Sequence, residues 1–294
     1  MKRILVYSFL SIAVSGQAQT SSDSTRLELF KEIVFALADD SMMGRAAGSL
    51  EESKSLAFIS KMVRNETRKN IKIQHFEFPL NDSTRLHSKN GYVFFNNHAK
   101  KTILIGAHYD HIGLGGELSL STKNNEIHNG ADDNASGVAL LLSLLNDIGS
   151  TKADKNFLIV FYSAHELGLY GSEAFAAFCQ TNRRFKNIST VINFDMVGRL
   201  DPSTKRLKCM SSFPDDLILT TLNPSECGIN LLVAENEKLT QLDTKFFLKQ
   251  GIPCLNFTTG LHDDYHSTTD DSKYISFEGM LNISKYLKLL LAQL

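Results

Sequence analysis

TILIGAHYDH at residues 102–111 begins the central part of this 294-residue chain, and NGADDNASG at residues 129–137 follows it. The other predicted elements are arranged around these two stretches. The apolar run at 102–107 is typical of a buried strand, and it stops at a cluster of polar residues. The second stretch opens a leucine-rich helix. Histidines and carboxylates just past a buried strand favour a metal site at the edge of a sheet. Each half on its own also fits a polar loop followed by a capped helix.

Strand and helix patterns alternate outward from this stretch. We predict strands at 71–78, 92–95, 102–107, 157–163, 190–195, 231–234 and 252–257. We predict helices over 27–37, after a capping box of Ser49 and Glu52, and at 136–148, 169–178, 240–250 and 277–294. Continuous apolar strands alternating with helices indicate an α/β fold, with a largely parallel mixed central sheet and helices on both faces.

The composition limits the partners that the chain needs. Its formal net charge is −1 and 43% of its residues are hydrophobic. Nothing in this balance calls for nucleic acid or an anionic membrane as a partner. Four widely spaced cysteines form no Cys-x-x-Cys pair, which does not suit a thiolate metal site. Disulfides and buried free thiols stay equally open for Cys179, Cys209, Cys227 and Cys254.

The first eighteen residues differ from the rest of the chain. Lys2 and Arg3 precede an apolar run at 4–14, and small residues lead to Ala18. This pattern predicts a signal peptide over 1–18 with cleavage after Ala18, and therefore export to the periplasm or the extracellular space. An uncleaved anchor is the alternative, although the apolar run is short for a membrane span.

One domain is expected over residues 19–294. Within it, 19–101 supplies N-terminal helices and edge strands, and 102–294 supplies the metal-binding core.

Residues of metal-ligand type recur where the predicted strands end. In open α/β sheets, ligands bind outside the carboxyl ends of the strands, so these residues are expected to meet. They are His108 and Asp110, then His165 and Glu166, then Asp195, then the loop with His262, Asp263, Asp264, Tyr265, His266 and Asp270. Competing motifs are weak, because Gly113–Gly116 lacks dinucleotide-binding spacing and no Gly-x-Ser-x-Gly or Walker sequence occurs.

Five ordered motifs resemble those of the zinc-dependent M28 aminopeptidases. They are AHYDH (107–111), GADDNASG (130–137), HELGLYGS (165–172), NFDMVG (193–198) and DYHSTTD (264–270). The resemblance covers residue 102 to the C-terminus, and MMGRAAGS (42–49) is similar to the start of many members. It implies a zinc-exopeptidase-like, three-layer α/β/α fold. It also implies hydrolysis at the N-terminus of peptide substrates with a free amino group. The oligomeric state is left open, with a monomer as the default expectation.

The resemblance also implies two zinc ions per chain, which would clamp one hydroxide between them. His108 and Asp195 would hold one ion, Glu166 and His266 the other, and Asp133 would bridge them. Asp110 matches a carboxylate that orients the first histidine. Tyr265 matches a phenol that steadies the oxyanion in some members, although packing against the loop would explain it equally. Asp132 and Asp270 are further candidates for residues that position the metal ligands, although each could instead cap a turn.

One position departs from the family. Hydrolytic members carry Glu-Glu where this chain has His165 and Glu166, and the first glutamate is the general base. A neutral imidazole near two zinc ions is a poorer proton acceptor than a carboxylate. Three hypotheses follow. The first is a secreted dizinc metallopeptidase that uses His165. The second is a catalytically impaired or inactive relative that retains zinc for structure or peptide binding. The third is a single-zinc acyl transferase of the glutaminyl-cyclase kind, which the complete ligand set disfavours.

Overall fold

An eight-stranded mixed sheet lies at the centre of the computed structural model, which describes residues 7–122, 125–150, 154–185, 187–213, 219, 221–234 and 236–294. The strands are β1 Lys72–Pro79, β2 Arg85–Phe95, β3 Lys101–His108, β4 Lys155–Tyr162, β5 Ile188–Phe194, β6 Arg206–Ser211, β7 Asn230–Ala234 and β8 Cys254–Thr258. Their order is β1-β2-β4-β3-β5-β8-β6-β7. The β3/β4, β3/β5, β5/β8 and β6/β7 pairs are parallel, and the others are antiparallel.

Helices cover both faces of the sheet. They are α1 Tyr7–Leu37, α2 Leu50–Thr67, α3 Gly137–Ser143, α4 Leu145–Ser150, α5 Tyr170–Thr181, α6 Lys245–Leu248 and α7 Phe277–Gln293. Shorter turns of helix occur at Asp40–Arg45, Gly116–Leu118, Ala131–Ser136, Pro224–Cys227, Asn236–Gln241 and Ser272–Tyr274. Helices α1, α2, α3 and α7 pack with Ile105 and Ile192 on one face. Phe175 of α5 and Phe247 of α6 pack with Leu104 on the other. These layers confirm the predicted α/β/α arrangement.

The carboxyl ends of the central strands meet at one edge of the sheet. Strands β3 and β4 run parallel with His108 opposite Tyr162, and β5 pairs with β8 so that Phe194 lies opposite Phe257. The residues that follow these strands therefore lie close together, as the sequence predicts.

Most predicted elements are confirmed, one predicted helix is wrong, and one strand was not predicted. The predicted helix at 240–250 is wrong, because the chain forms the turn Asn236–Gln241 and the short helix α6, with Asp243 between them. Strand β6 was not predicted. Its sequence, RLKCMS, carries charges at 206 and 208 that hide the apolar alternation. The Ser49 capping box is confirmed, since Ser49 Oγ accepts from the backbone nitrogen of Glu52 at 3.0 Å.

The cysteines and the N-terminal segment bear on the predictions of disulfides and of a signal peptide. All four cysteines are free and buried, and burial raises the pKa of Cys179 and Cys254 to about 12. Lys2 and Arg3 lie outside the described residues, and the signal peptide stays a prediction. Among the helices that the structure describes, none combines the length and the apolar character needed to cross a membrane.

Candidate metal centre

The five predicted ligands come together around Asp133. His108 Nε2 lies 3.4 Å from Asp133 Oδ1 and 3.7 Å from Asp195 Oδ1. His266 Nε2 lies 3.4 Å from Asp133 Oδ2 and 3.1 Å from Glu166 Oε2. Asp133 thus presents one carboxylate oxygen to each imidazole. A carboxylate placed in this way suits a bridge between two cations.

The ring nitrogens of His108 and His266 fit a metal. In each ring Nε2 is buried and has no hydrogen-bond partner in the described part of the chain. In each ring Nδ1 lies near a backbone carbonyl oxygen, that of Asp110 at 3.2 Å and that of Leu118 at 2.9 Å. Metal-ligating histidines are held in this manner, since the outer hydrogen bond fixes the tautomer and leaves Nε2 as a ligand. Imidazole and carboxylate together form a donor set that zinc prefers.

Opposed charges stabilise the cluster. Burial alone would raise the pKa of Asp133, but His108 and His266 hold it well below its usual range. Burial and the Asp133 charge would raise the pKa of Glu166, yet His111 and His266 lower it to about 2. The carboxylates are therefore in the ionised form that metal binding requires.

Asp270 positions the bridging residue. Its carboxylate accepts hydrogen bonds from the backbone nitrogens of Asp132 and Asp133, at 2.9 and 3.0 Å. Arg199 Nη2 donates to the same carboxylate at 3.1 Å. Asp132 instead accepts from the Gly198 backbone nitrogen at 2.6 Å, which joins the Asp133 turn to the loop after β5. Both predicted candidates thus lie directly behind the ligands.

Asp110 acts mainly on the loop that carries Glu166. Its carboxylate accepts from the backbone nitrogens of His165 and Glu166, at 3.2 and 3.3 Å. Its Oδ1 lies 3.7 Å from His108 Nδ1, farther than the backbone oxygen of Asp110 itself. The carboxylate predicted to orient His108 therefore has a second contact, which holds the next ligand in place.

His165 is hydrogen-bonded to a carboxylate that was not predicted as a site residue, that of Asp243. His165 Nδ1 lies 2.9 Å from Asp243 Oδ2, and the Asp243 side chain is fully buried. Burial and His108 both lower the pKa of His165, but Asp243 outweighs them and raises it to about 9. No motif surrounds Asp243. The only signal in the sequence was chemical, because a buried imidazole needs an acceptor for its second nitrogen.

The His165 ring stacks on the ring of the ligand His108, with centroids 3.8 Å apart and planes within 10°. Ring nitrogens of both residues and a carboxylate oxygen of Asp195 lie within 4.8 Å of one another. The lone pairs of an imidazole lie in its plane, so those of two nearly parallel rings do not converge on one ion. In this orientation His165 lies beside the position that His108 and Asp195 would bind, and it is not a further ligand there.

Two further residues support the cluster. His111 Nδ1 lies 2.8 Å from Glu166 Oε1, so this buried ring contacts a predicted ligand directly. His111 belongs to the AHYDH motif, but the resemblance implied no role for it. The Tyr265 ring stacks on His266, with centroids 4.0 Å apart. Burial raises the pKa of the Tyr265 phenol, which stays protonated and able to donate.

Arg45 joins both ligand-bearing loops from behind. It is fully buried and donates to the backbone oxygens of Leu37 at 2.5 Å, Tyr109 at 3.0 Å, Asn129 at 2.6 Å and Gly130 at 3.0 Å. Burial lowers its pKa to about 10, and the nearby carboxylates offset part of that effect. The guanidinium ties the end of α1 to the loops that carry His108 and Asp133. The MMGRAAGS motif was the sequence signal for it.

A cavity of about 390 Å³ opens beside the ligands. Its walls combine predicted ligands with residues from β6, β8 and the segment before α6. The lining residues are Asp133, His165, Asp195, Met196, Lys208, Gln241, Leu242, Asn256, Thr258, Gly260, Leu261 and Tyr265. The space lies where a substrate would reach both the ligands and His165.

Comparison with known proteins identifies the family. The profile described as Peptidase family M28 matches residues 92–290, which is more than half of the chain. The chain belongs to peptidase family M28. The match includes all five predicted ligands, from His108 to His266.

Individual relatives agree with this assignment. Leucine aminopeptidase 1 of Colletotrichum graminicola is 28% identical over 211 residues, covering 64% of this chain and 49% of that protein. The chain thus spans about half the length of that relative. The fold is similar to a zinc aminopeptidase of Bacillus subtilis, with TM-score 0.74, 15% identity, and 91% and 94% of the two chains covered. It is also similar to a glutaminyl cyclase of Bacteroides thetaiotaomicron, with TM-score 0.76, 16% identity, and coverage of 91% and 98%.

Proposed function

We propose that this M28 protein is a secreted, zinc-dependent aminopeptidase that removes N-terminal residues from peptides. The observation that carries the proposal is the placement of Asp133, whose two oxygens face His108 and His266. Family membership and the aminopeptidase relatives support the peptidase activity. Export to the periplasm or the extracellular space rests on the sequence pattern of residues 1–18 alone.

Two zinc ions would be held by this ligand set, one by His108 and Asp195 and the other by Glu166 and His266, with Asp133 shared between them. When bound, such a pair lowers the pKa of a water molecule and polarises the scissile carbonyl. Asp110, Asp270 and Arg45 hold the loops that carry the ligands in place through hydrogen bonds to their backbone.

His165 takes the role of the proton acceptor in this proposal. Two bound zinc ions would lower the pKa of His165 below the value of about 9 that Asp243 gives it in the metal-free protein, because they disfavour the imidazolium. In the neutral ring Nδ1–H donates to Asp243, which leaves Nε2 as the atom that receives the proton of the attacking water. The imidazolium formed in this way is stabilised by the buried Asp243 carboxylate. A histidine with its own carboxylate therefore replaces the single glutamate of other members, and the pair carries the same net charge after proton transfer. Tyr265 stacks on His266 and lines the same cavity as His165, and in this proposal its phenol donates to the carbonyl oxygen as negative charge develops.

A second candidate is a relative that binds zinc and peptides without hydrolysing them. The observation that favours it is the absence of a carboxylate at position 165 itself. The stacking of His165 on a ligand ring also restricts its movement. The proposed metal sites would be intact in this case.

An assay of the purified, zinc-loaded protein on aminoacyl chromogenic substrates tests the proposal, with His165→Glu and His165→Ala beside it. We expect wild-type activity that falls by about 10²–10⁴-fold in His165→Ala, the usual worth of a general base. A silent wild type together with strong activity in His165→Glu would support the second candidate. Cyclisation of N-terminal glutamine is measured in parallel, because the fold is shared with a glutaminyl cyclase. Cyclisation without peptide hydrolysis would contradict the aminopeptidase proposal.

A further inference from the structure

We propose that the cavity beside the metal ligands binds a substrate carboxylate through Lys208, and that the chain therefore prefers peptides that begin with aspartate or glutamate. This inference rests on the proposed aminopeptidase function and names its substrate class. The carboxylate has two possible sources, the first side chain of the peptide or its C-terminus. The position of the cavity against Asp133 and Asp195 favours the first side chain, since the N-terminal residue is the one held at the metal centre.

Lys208 projects from the sheet into the cavity. It lies on β6 opposite Thr258 of β8 in the antiparallel register, so both side chains stand on the same face of the sheet. Asn256, two residues before Thr258, also points to that face, because side chains alternate along a strand. Lys208, Asn256 and Thr258 all line the cavity. They form a polar wall for it.

The Lys208 side chain lies where a side chain at residue 260 would stand, and residue 260 is a glycine. A Cβ at Gly260 would lie 2.9 Å from Lys208 Nζ and 3.6 Å from its Cε. The lysine therefore lies across Gly260, which also lines the cavity. Lys208 forms no ion pair with any carboxylate of the described chain. Its charge is available to a ligand.

Asn256 supplies a second donor. It is completely buried, and its Oδ1 accepts from Asn193 Nδ2 at 2.8 Å. Its Nδ2 has no acceptor among the described residues. Buried amide donors are nearly always paired in native proteins, so an unpaired one in a cavity wall points to a ligand with an acceptor oxygen. A carboxylate offers two such oxygens, one for Lys208 and one for Asn256.

The charges around the cavity agree with an anionic ligand. Its carboxylates, Asp133 and Asp195, belong to the proposed ligand set and would be neutralised by bound zinc. Lys208 is then the one lysine or arginine among the described lining residues. A leucine side chain in this space would desolvate the ammonium without pairing it, which is unfavourable. An acidic side chain would form a charge-assisted hydrogen bond.

Kinetic selectivity is the first test. The values of kcat/KM are compared for glutamyl, glutaminyl and leucyl p-nitroanilides in zinc-loaded wild type, Lys208→Met and Lys72→Met. Lys72 is the matched control, because it is an exposed strand lysine at the other edge of the sheet. We expect the glutamyl-to-leucyl ratio to fall at least about tenfold in Lys208→Met, as loss of a charged hydrogen bond predicts. The ratio should not change in Lys72→Met. An unchanged ratio in Lys208→Met would overturn the proposal.

Binding without turnover separates this inference from the proposed function. Calorimetry of L-glutamate and L-leucine with the zinc-loaded protein should show tighter glutamate binding, and Lys208→Met should abolish that preference. Equal binding, or tighter leucine binding, overturns the inference even if leucyl substrates are hydrolysed. Glutamate selectivity without hydrolysis of any substrate would leave the inference intact and contradict the aminopeptidase proposal.

The dipeptide Leu-Gly and its C-terminal amide distinguish the two sources of the carboxylate. We expect Lys208→Met to affect kcat/KM for both to the same extent. A loss confined to the free dipeptide would show that Lys208 binds the C-terminus of short peptides, and it would overturn the preference for acidic N-terminal residues.

Discussion

His165 and Asp243 form a hydrogen-bonded pair of 2.9 Å at the edge of the candidate metal centre. The carboxylate is fully buried, and the imidazole stacks on the ligand His108. This pair explains how a histidine at position 165 can replace the glutamate that hydrolytic members of the family carry there. An isolated imidazole next to two cations is a poor base, whereas an imidazole with a buried carboxylate behind it is stabilised in its charged form.

Asp243→Asn should lower kcat by about 10²–10⁴-fold, because an amide no longer favours the Nδ1–H tautomer or stabilises the imidazolium. We expect KM and zinc content to change little, since Asp243 is not a lining residue of the cavity and forms its hydrogen bond with His165, which is not a predicted ligand. Steady-state kinetics with metal analysis measures all three, and Asp82→Asn in an exposed turn is the control. A large loss of zinc with kcat per bound zinc preserved would indicate a purely structural role.

Removal of metal should destabilise the fold. Three carboxylates and two buried Nε2 atoms would lose their common partner, and any ligand bound only by the native state adds to its stability. At free zinc about 100 times its dissociation constant, one site contributes about 2.7 kcal/mol. Thermal unfolding with chelator and with added zinc measures the shift in Tm. Identical Tm values in the two conditions would contradict the metal assignment.

Arg45→Ala should lower the free energy of unfolding by about 3–5 kcal/mol, as expected when a buried charged group that satisfies several partners is removed. Four backbone carbonyls lose their donor, two of them beside the turn that carries Asp133. Arg45→Lys retains the charge but not the fork of donors and should recover only part of the loss. Urea unfolding of the metal-free proteins tests this. A cost below about 1 kcal/mol for the alanine variant would show that the loops hold their shape without the guanidinium.

Glu52 should make stability depend on pH. Burial raises its pKa above 4.5, although hydrogen bonds from Ser88, Ser163 and Gly48 oppose the shift. The folded protein therefore holds this proton more tightly than the unfolded chain. Its contribution is complete below pH 4.5 and is lost as pH rises through the folded-state pKa.

Glu52→Gln cannot lose that proton. The free energy of unfolding of the variant relative to wild type should increase as pH rises from about 4 to 7. Urea unfolding at several pH values, with the exposed Glu278→Gln as the control, measures the difference. A pH-independent difference would mean that Glu52 ionises equally in both states.

Four of the five predicted ligands, His108, Glu166, Asp195 and His266, were accessible from sequence because they come after buried strands. His108 and Asp195 come at the end of β3 and β5, and Asp133 opens the turn before α3. Parallel strands then bring these positions to one edge with little further information. Local pattern and a general rule of sheet topology were therefore sufficient to predict that the strand-end residues meet. The place of Asp133 and the division of the ligands between two ions came from the resemblance to the family.

The residues that shape the chemistry were not accessible in the same way. Asp243 lies in a segment whose apolar spacing suggested a helix, and its contact with His165 spans 78 positions along the chain. Lys208 lies on β6, a strand that was not predicted because its charges hide the apolar alternation. Its partner in the sheet, Thr258, comes fifty residues later in the chain. Both roles arise from approach in space between segments with no motif of their own. Such contacts depend on tertiary packing that no periodicity records.

The zinc content of the reconstituted protein shows whether the ligands around Asp133 hold two metal ions. Wild type is dialysed against zinc and then freed of loosely bound metal, and bound zinc per chain is measured by mass spectrometry beside Asp133→Asn. We expect two zinc ions in wild type and fewer in the variant, because Asp133 faces the histidine ligands of both proposed positions. One ion or none in wild type, or an unchanged count in Asp133→Asn, would contradict the two-metal assignment.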